Sequence, residues 1–174
     1  SALWEIKAEW KISPQPSRDT IFTYLKEKAQ PGRSENTQGN VEKIFSTSKD
    51  VLSQTFNIDY IAHVPLEPRA AVAQWEGNNL TVWAATQRPF GVQEQLEQLF
   101  GIPKTNIRVI MPDTGSGYGG KHTGEAALEA AKLSKATGKP VKVTWTREEE
   151  FKWAYFRPAG VIEVKSAVDA AGVI

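Results

Sequence analysis

A glycine-rich stretch between a predicted strand and a predicted helix constrains the fold of this chain more than any other feature. It covers residues 113–123, with the sequence DTGSGYGGKHT, and glycine occupies positions 115, 117, 119 and 120. Glycine has no side chain, so the backbone there can adopt positive φ angles and approach a ligand closely. The apolar run IRVIM precedes the stretch, and the alanine-rich run EAALEAAKL follows it. A strand, a glycine loop and the start of a helix, in that order, direct free backbone N–H groups towards an anion.

Two nucleotide-binding patterns match this stretch, and each fails at a residue that its chemistry needs. The pattern G-x-G-x-x-G begins at position 115, but the acidic residue expected about 20 positions later is missing, and the first acid after the next predicted strand is Glu148. The pattern G-x-x-x-x-G-K ends at Lys121, but His122 follows where a serine or threonine would hold Mg²⁺. A structural turn without a ligand is the third interpretation.

Composition limits the class of protein further. Of the 174 residues, 40% are hydrophobic and 24% are charged, which is typical of a globular protein with a core. The net charge of +1 gives no reason to expect nucleic acid as a partner. The chain has no cysteine, which excludes disulfides, a thiol nucleophile and cysteine-bound iron–sulfur clusters within it. It has no initiator methionine and no signal peptide, so we expect a segment of a longer protein, and the segment does not distinguish a cytoplasmic from a periplasmic location.

Hydrophobic periodicity predicts an α+β fold in which helices pack on a mixed sheet, because the element order is not that of an all-parallel sheet. The predicted strands are 1–12, 56–64, 70–76, 80–84, 106–111, 141–146 and 161–168. The predicted helices are 20–29, 90–100 and 123–137. Between them, the sequence suggests a short strand near 42–45 and a turn or short helix near 49–54.

Four motifs in a fixed order connect this chain with a known family. They are HVPLEP at 63–68, VWAATQRP at 82–89, GSGYGGK at 115–121 and TREEEF at 146–151. In this order they resemble the molybdenum-binding subunit of the xanthine dehydrogenase/aldehyde oxidase family, and the run YFRP at 155–158 resembles the isoquinoline 1-oxidoreductase β-subunit type in particular.

The resemblance implies a fold and a division of the chain. The fold would be the first part of the molybdopterin-binding domain of that family. Residues 1–12 would be the tail of a preceding hammerhead domain, residues 13–55 a connecting segment, and residues 56–174 the N-terminal part of the molybdopterin-binding domain.

The resemblance also implies a molybdenum–pterin cofactor, as molybdopterin or its cytosine dinucleotide form, to which the protein gives no direct metal ligand. Gln87 matches the glutamine that hydrogen-bonds an oxo ligand of the metal, and a surface helix cap is the alternative interpretation. Tyr118 matches the aromatic residue whose backbone N–H faces the oxo group and whose ring walls the pocket. Gly117, Gly119 and Gly120 would let the backbone approach the metal site.

Other polar residues receive weaker predictions. His122 stands where purine-oxidising relatives place a substrate-binding glutamate, which argues against a purine and suggests contact with another nitrogen heterocycle. The alternative is that His122 caps the helix 123–137. We expect His63 to be structural, Glu67 to fix a loop beside the cavity, and residues 148–150 to begin a helix without a catalytic role.

The catalytic base of the family is a glutamate far downstream, so the resemblance predicts no catalytic residue within this chain. The full-length protein would hydroxylate an N-heteroaromatic or aldehyde carbon with oxygen from water. It would pass electrons to an iron–sulfur partner subunit and would bind no nucleic acid. We expect the segment to be inactive alone, without the remainder of its own chain, and not to retain the cofactor. The alternatives are a non-catalytic scaffold domain of the same fold and a nucleotide- or phosphate-binding domain that uses residues 115–121.

Overall fold

The computed structural model describes residues 5, 7–32, 38–169 and 171–173. The helices are α1 (Ile21–Lys28), α2 (Val41–Thr47), α3 (Pro89–Phe100), α4 (Glu125–Thr137) and α5 (Arg147–Trp153). The strands are β1 (Asp50–Ile58), β2 (Ala70–Glu76), β3 (Asn79–Ala84), β4 (Ile107–Ile110), β5 (Val141–Thr144) and β6 (Gly160–Val168). None of the described helices is long and apolar enough to cross a membrane.

The chain divides into two compact units. One consists of Ser1–Asp59 and Ala159–Ile174, and the other of Tyr60–Pro158. In the first unit, β1 and β6 form an antiparallel two-stranded ribbon, and both α1 and α2 contact β6. No side chain is fully buried in the described part of this unit, so the ribbon and its two helices enclose no core of their own.

Four predictions in the first unit are wrong, and one of them is the turn or short helix near 49–54, where strand β1 begins instead. Residues 1–4 and 6 of the predicted first strand lie outside the described residues, and residues 7–12 form no strand, because no described segment pairs with them. The segment 41–47 is a helix and not a strand, since Asn40 accepts a hydrogen bond from the Lys43 N–H at 3.0 Å and caps it. The strand predicted at 56–64 is β1, which begins earlier and ends at Ile58, because its pairing with β6 fixes its length.

The second unit contains a four-stranded sheet in the order β4-β3-β2-β5. Strands β2 and β3 form the predicted hairpin, with Gly77 at a φ of +60° in its turn. Strand β5 pairs antiparallel with β2, whereas β4 pairs parallel with β3. The mixed sheet predicted from the sequence is therefore confirmed.

One face of this sheet carries the core. Ala71 lies opposite Ala84 and Ala73 opposite Val82, so these side chains share a face. Helix α4 packs on that face, and its buried residues include four alanines, whose small side chains let the helix approach the strands closely. The buried hydrophobic residues are Ala71, Ala73, Leu80, Val82, Ala84, Val92, Leu96, Ile107, Ala126, Ala127, Ala130, Ala131 and Trp145.

Capping residues set the helix boundaries in this unit. Gly101 ends α3 and Gly138 ends α4, each in the left-handed conformation at a φ of +64°. Thr146 and Glu149 form a capping box that starts α5. The predicted helices near 90–100 and 123–137 are confirmed, and so is the helix start predicted at residues 148–150.

Candidate functional site

The tip of the glycine loop is a tight turn over residues 117–120. The Gly120 N–H donates to the Gly117 carbonyl oxygen at 2.8 Å. The two central residues both have positive φ, +53° at Tyr118 and +89° at Gly119, which is the pattern of a type I′ turn. A large aromatic residue rarely adopts this conformation, so Tyr118 is held there by the loop around it. Its side chain is 66% exposed.

Gln87 lies directly against this turn, in the connection between β3 and α3. Its Oε1 accepts hydrogen bonds from the N–H groups of Gly119 at 3.0 Å and Lys121 at 3.3 Å. Its own backbone N–H donates to the Lys121 carbonyl oxygen at 2.9 Å. Because only the oxygen of a carboxamide can accept, these bonds fix which way the group is turned. The Nε2 donor is left with no partner among the described residues.

Close approach explains why several positions in the loop are glycine. A methyl group added at Gly117 would lie 2.6 Å from Gln87 Oε1, and one added at Gly120 would lie 2.9 Å from the His63 Cβ. Both distances are shorter than real Cβ contacts, so any other residue would push its neighbour away. At Gly119 an added methyl group would make only an ordinary contact with the His63 ring, at 3.7 Å, and the positive φ is what favours glycine.

The turn also presents unused hydrogen-bond donors. Within the part of the chain that the structure describes, the backbone N–H groups of Gly117 and Tyr118 have no acceptor. Gly117 lies against the Gln87 carboxamide, whose Nε2 is likewise unused. A cluster of donors without acceptors suits an oxygen-rich or anionic ligand. Among the described residues no group of three or more His, Cys, Asp or Glu side chains could hold a metal ion. This donor set therefore suits the oxygen ligands of a bound group and not the metal itself.

An open groove gives access to this position. It is lined by Thr86, Gln87, Met111, Pro112, Asp113 and Thr114. A ligand in the groove would meet the exposed side chain of Gln87.

The base of the loop is held by a carboxylate from the HVPLEP segment. Glu67 Oε2 accepts from the Gly115 N–H at 3.0 Å and from Lys121 Nζ at 2.6 Å. Burial tends to raise the pKa of the Glu67 carboxyl, but the hydrogen bonds from Lys121 and Gly115 and the Lys121 charge together lower it. The prediction that Glu67 fixes a loop is confirmed. Lys121 is only 1% exposed and already paired, so it is not available to a phosphate as a P-loop lysine would be.

A buried arginine that the sequence analysis missed also holds the loop. Arg69 donates through Nη2 to the Gly120 carbonyl oxygen, and its guanidinium pairs with Glu150 at 2.5 Å and Glu125 at 3.2 Å. Its guanidinium carbon lies 5.6 Å from the centre of the Trp145 ring. The signal available in the sequence was its position, directly after the HVPLEP motif.

The two histidines have different surroundings. The Nδ1 of His63 lies 3.2 Å from the Tyr155 carbonyl oxygen, and its ring stacks on the Tyr155 ring at 5.7 Å, which agrees with a structural role. His122 is exposed and has no hydrogen-bond partner among the described residues. It does not cap α4, because that helix begins after Gly124, whose N–H donates to Gln95 Oε1 at 3.0 Å. The helix-cap interpretation of His122 is wrong, and its contact with substrate stays a prediction.

Comparison with known proteins shows which family this chain belongs to. Residues 25–174 match the family described as the molybdopterin cofactor-binding domain. The chain is 31% identical over 132 residues to the beta subunit of isoquinoline 1-oxidoreductase from Brevundimonas diminuta, covering 74% of this chain and 17% of that protein. It is 25% identical over 175 residues to a nicotinate dehydrogenase subunit from Pseudomonas putida, covering 99% of this chain and 15% of that protein.

Solved structures agree with the sequence relatives. The quinoline 2-oxidoreductase from Pseudomonas putida 86 superposes with a TM-score of 0.67 at 34% identity, covering 75% of this chain and 17% of that one. The chain thus spans less than a fifth of the length of each of these relatives. The family match over residues 25–174 and the sequence identity to these proteins support the same family assignment. The chain belongs to the molybdopterin cofactor-binding domain family, within the molybdenum-binding subunits of the xanthine dehydrogenase/aldehyde oxidase family.

Proposed function

We propose that this chain forms one wall of the cofactor site of a molybdenum hydroxylase. The observation that carries the proposal is the orientation of Gln87. Its carboxamide oxygen is bonded to the glycine loop, so its Nε2 and the N–H groups of Gly117 and Tyr118 remain as donors. Such donors hold oxygen ligands in place without adding charge to the site.

Each residue of the site has a proposed task. Gln87 donates Nε2–H to an oxygen atom of the cofactor, and the Tyr118 N–H donates to an oxo group, while the Tyr118 ring walls the pocket. Gly117, Gly119 and Gly120 let the backbone come close enough for these contacts. When bound, the molybdenum–pterin group, as molybdopterin or its cytosine dinucleotide form, supplies oxygen transfer from water and accepts the substrate's electrons.

The substrate we propose is an N-heteroaromatic compound or an aldehyde. The names of the relatives support this class, since they refer to isoquinoline, nicotinate and quinoline and to aldehydes. His122 is exposed next to the loop and is the residue we assign to substrate contact. The electrons would leave through an iron–sulfur partner subunit, as the resemblance to this family implies. The base that starts the reaction would lie in the remainder of the polypeptide, so the segment alone would not turn over.

The test uses the full-length protein purified together with its partner subunits. We expect stoichiometric molybdenum by plasma mass spectrometry and a pterin by fluorescence after oxidation. Gln87→Ala should weaken cofactor binding by about 10- to 100-fold, the usual effect of removing a group that orients a metal centre. Gln98→Ala is the matched control, because Gln98 is an exposed glutamine on α3.

Absence of molybdenum from the wild-type complex would contradict the proposal. Molybdenum without oxidation of isoquinoline, nicotinate or an aldehyde would instead support a non-catalytic scaffold domain of the same fold. A nucleotide-binding role would require NAD or ATP to bind in a calorimetric titration, and the buried, paired Lys121 argues against it.

A further inference from the structure

Lys121 is the largest fully buried side chain in the described part of the chain, and a lone buried cation is costly. Its Nζ is 2.6 Å from Glu67 Oε2, and that same oxygen accepts from the Gly115 N–H at 3.0 Å. One carboxylate oxygen therefore joins both ends of the glycine loop. The next residue back, Leu66, donates its N–H to Ser116 Oγ at 3.0 Å and adds a second attachment on the same side.

The opposite side of the loop is attached through the same lysine. Its backbone carbonyl oxygen accepts from the Gln87 N–H at 2.9 Å and from the Thr86 hydroxyl at 3.1 Å. Its backbone N–H donates to Gln87 Oε1. Lys121 thus links Glu67 through its side chain with Gln87 through its backbone. Any movement of the Lys121 side chain would be passed to the Gln87 carboxamide and to the turn beside it.

We infer that the Glu67–Lys121 ion pair is a positioning device that holds the donors of Gly117, Tyr118 and Gln87 in the arrangement that receives the cofactor. The inference rests on the proposed function, since it assigns two further residues to the same site. Neither side chain touches the ligand. Lys121 occupies the sequence position of the lysine in the phosphate-binding pattern, but here it positions the loop backbone and does not bind a ligand.

Variants of the full-length protein test this role. Glu67→Gln keeps the size of the side chain and an acceptor for Gly115 but removes its charge, and Lys121→Met keeps the length of the side chain without its charge. The double variant Glu67→Gln/Lys121→Met leaves no unpaired buried charge. Glu94→Gln is the matched control, because Glu94 forms an exposed ion pair of 3.0 Å with Lys104.

Three quantities are measured for each variant. They are molybdenum per protein after gel filtration, the thermal midpoint, and hydrogen exchange of peptides covering residues 115–121 in cofactor-free protein from molybdenum-starved cells. Each single variant should bind the cofactor on the order of tenfold more weakly and exchange faster at the loop, while Glu94→Gln should match wild type. The double variant should have a higher thermal midpoint than the single variants. Its molybdenum content should stay low, and the loop amides should still exchange faster than in the wild type.

A double variant that regains molybdenum together with its thermal midpoint would overturn the inference, because the pair would then serve only stability. Single variants with wild-type molybdenum and wild-type exchange would overturn it as well. If the wild-type protein itself contains no molybdenum, the proposed function fails, yet loop exchange in the cofactor-free variants still decides the positioning role. Slow exchange at the loop in the single variants would then overturn it.

Discussion

At the scale of single residues, the hydrogen bonds of one carboxamide oxygen decide which hydrogen-bonding groups the candidate site presents to a ligand. Gln87 Oε1 is shared by two backbone N–H groups of the loop, so the other end of the same group is committed to donating. A glutamine without these hydrogen bonds could rotate its carboxamide by half a turn, and Nε2 would then no longer face the ligand. The loop thus gives the side chain a direction as well as a position, and that direction depends on the absence of a side chain at Gly117.

The substitution Gly117→Ala tests this dependence. The new methyl group would lie 2.6 Å from Gln87 Oε1 and displace the carboxamide, and the loss of its two hydrogen bonds to the loop should lower the free energy of unfolding by about 1–3 kcal/mol. The full-length protein should also lose molybdenum. The measurements are urea unfolding of the 174-residue chain and metal content of the full-length protein.

Gly160→Ala is the control for this substitution, because its methyl group would meet nothing within 4 Å. It should change the free energy of unfolding by less than about 0.5 kcal/mol. Equal effects of the two substitutions would show that the contact with Gln87 is not what requires glycine at position 117.

Sequence patterns predicted which residues meet at the candidate site better than they predicted what holds them there. The glycines and Gln87 lie in short motifs that can be identified directly in the sequence. The pairing of Glu67 with Lys121 joins residues 54 positions apart, and Arg69 reaches Gly120 over 51 positions. A long-range ion pair leaves no periodicity behind. Lys121 matches the lysine of a phosphate-binding pattern, yet it pairs with Glu67, and its burial could not be seen in the motif.

At the scale of elements, the contact between α4 and the sheet depends on small side chains. Ala126, Ala127, Ala130 and Ala131 are all buried, and α4 packs chiefly on β2. Helix α4 directly follows the glycine loop, so its distance from the sheet also sets where the loop ends. An alanine face makes that distance short, and it leaves little space for larger residues.

The substitution Ala130→Leu tests the packing of α4. Ala130 is fully buried, so the larger side chain should reduce the free energy of unfolding by about 1–3 kcal/mol. Ala136→Leu, at an exposed position of the same helix, should change it by no more than about 0.5 kcal/mol. Urea unfolding of the two variants makes the comparison. If Ala130→Leu is as stable as Ala136→Leu, the helix does not lie as close to the sheet as described.

The hairpin of the second unit and the helices α3 and α4 were predicted well, whereas strand β1 and helix α2 were not. The hairpin of β2 and β3 and the helices α3 and α4 carry their own turn and capping residues, and their predicted positions are confirmed. Strand β1 has no such signals, because its nine residues are fixed by pairing with β6, more than a hundred positions away. The sequence suggested a turn or short helix where β1 begins and a short strand where α2 lies.

At the scale of the whole molecule, the two units differ in how much apolar surface they bury. All the buried hydrophobic residues that the structure describes belong to the second unit. In the first unit, Leu52 is 68% exposed and Phe56 is 53% exposed. A two-stranded ribbon without a core is only marginally stable in water.

Hydrogen exchange of the 174-residue chain should therefore separate the two units. Amides of β1 and β6 should exchange at least about tenfold faster than those of β2 and β3, which corresponds to about 1.4 kcal/mol in opening free energy. Mass spectrometry of peptic peptides reports both pairs of strands in one experiment. Equal protection would mean that the first unit is stabilised by something other than buried apolar side chains.

The polypeptide enters and leaves the second unit at neighbouring points. Ile61 and Arg157 form an antiparallel bridge, with N–H to carbonyl distances of 3.2 Å and 2.9 Å. A short linker between residues 158 and 60, with new ends opened in the exposed turn at 77–78, would give a circular permutant of this unit. Every described contact of the glycine loop lies within residues 60–158, so the permutant would contain all of them. The loop and all of its described supports thus belong to one continuous stretch of chain, whose two ends lie next to each other.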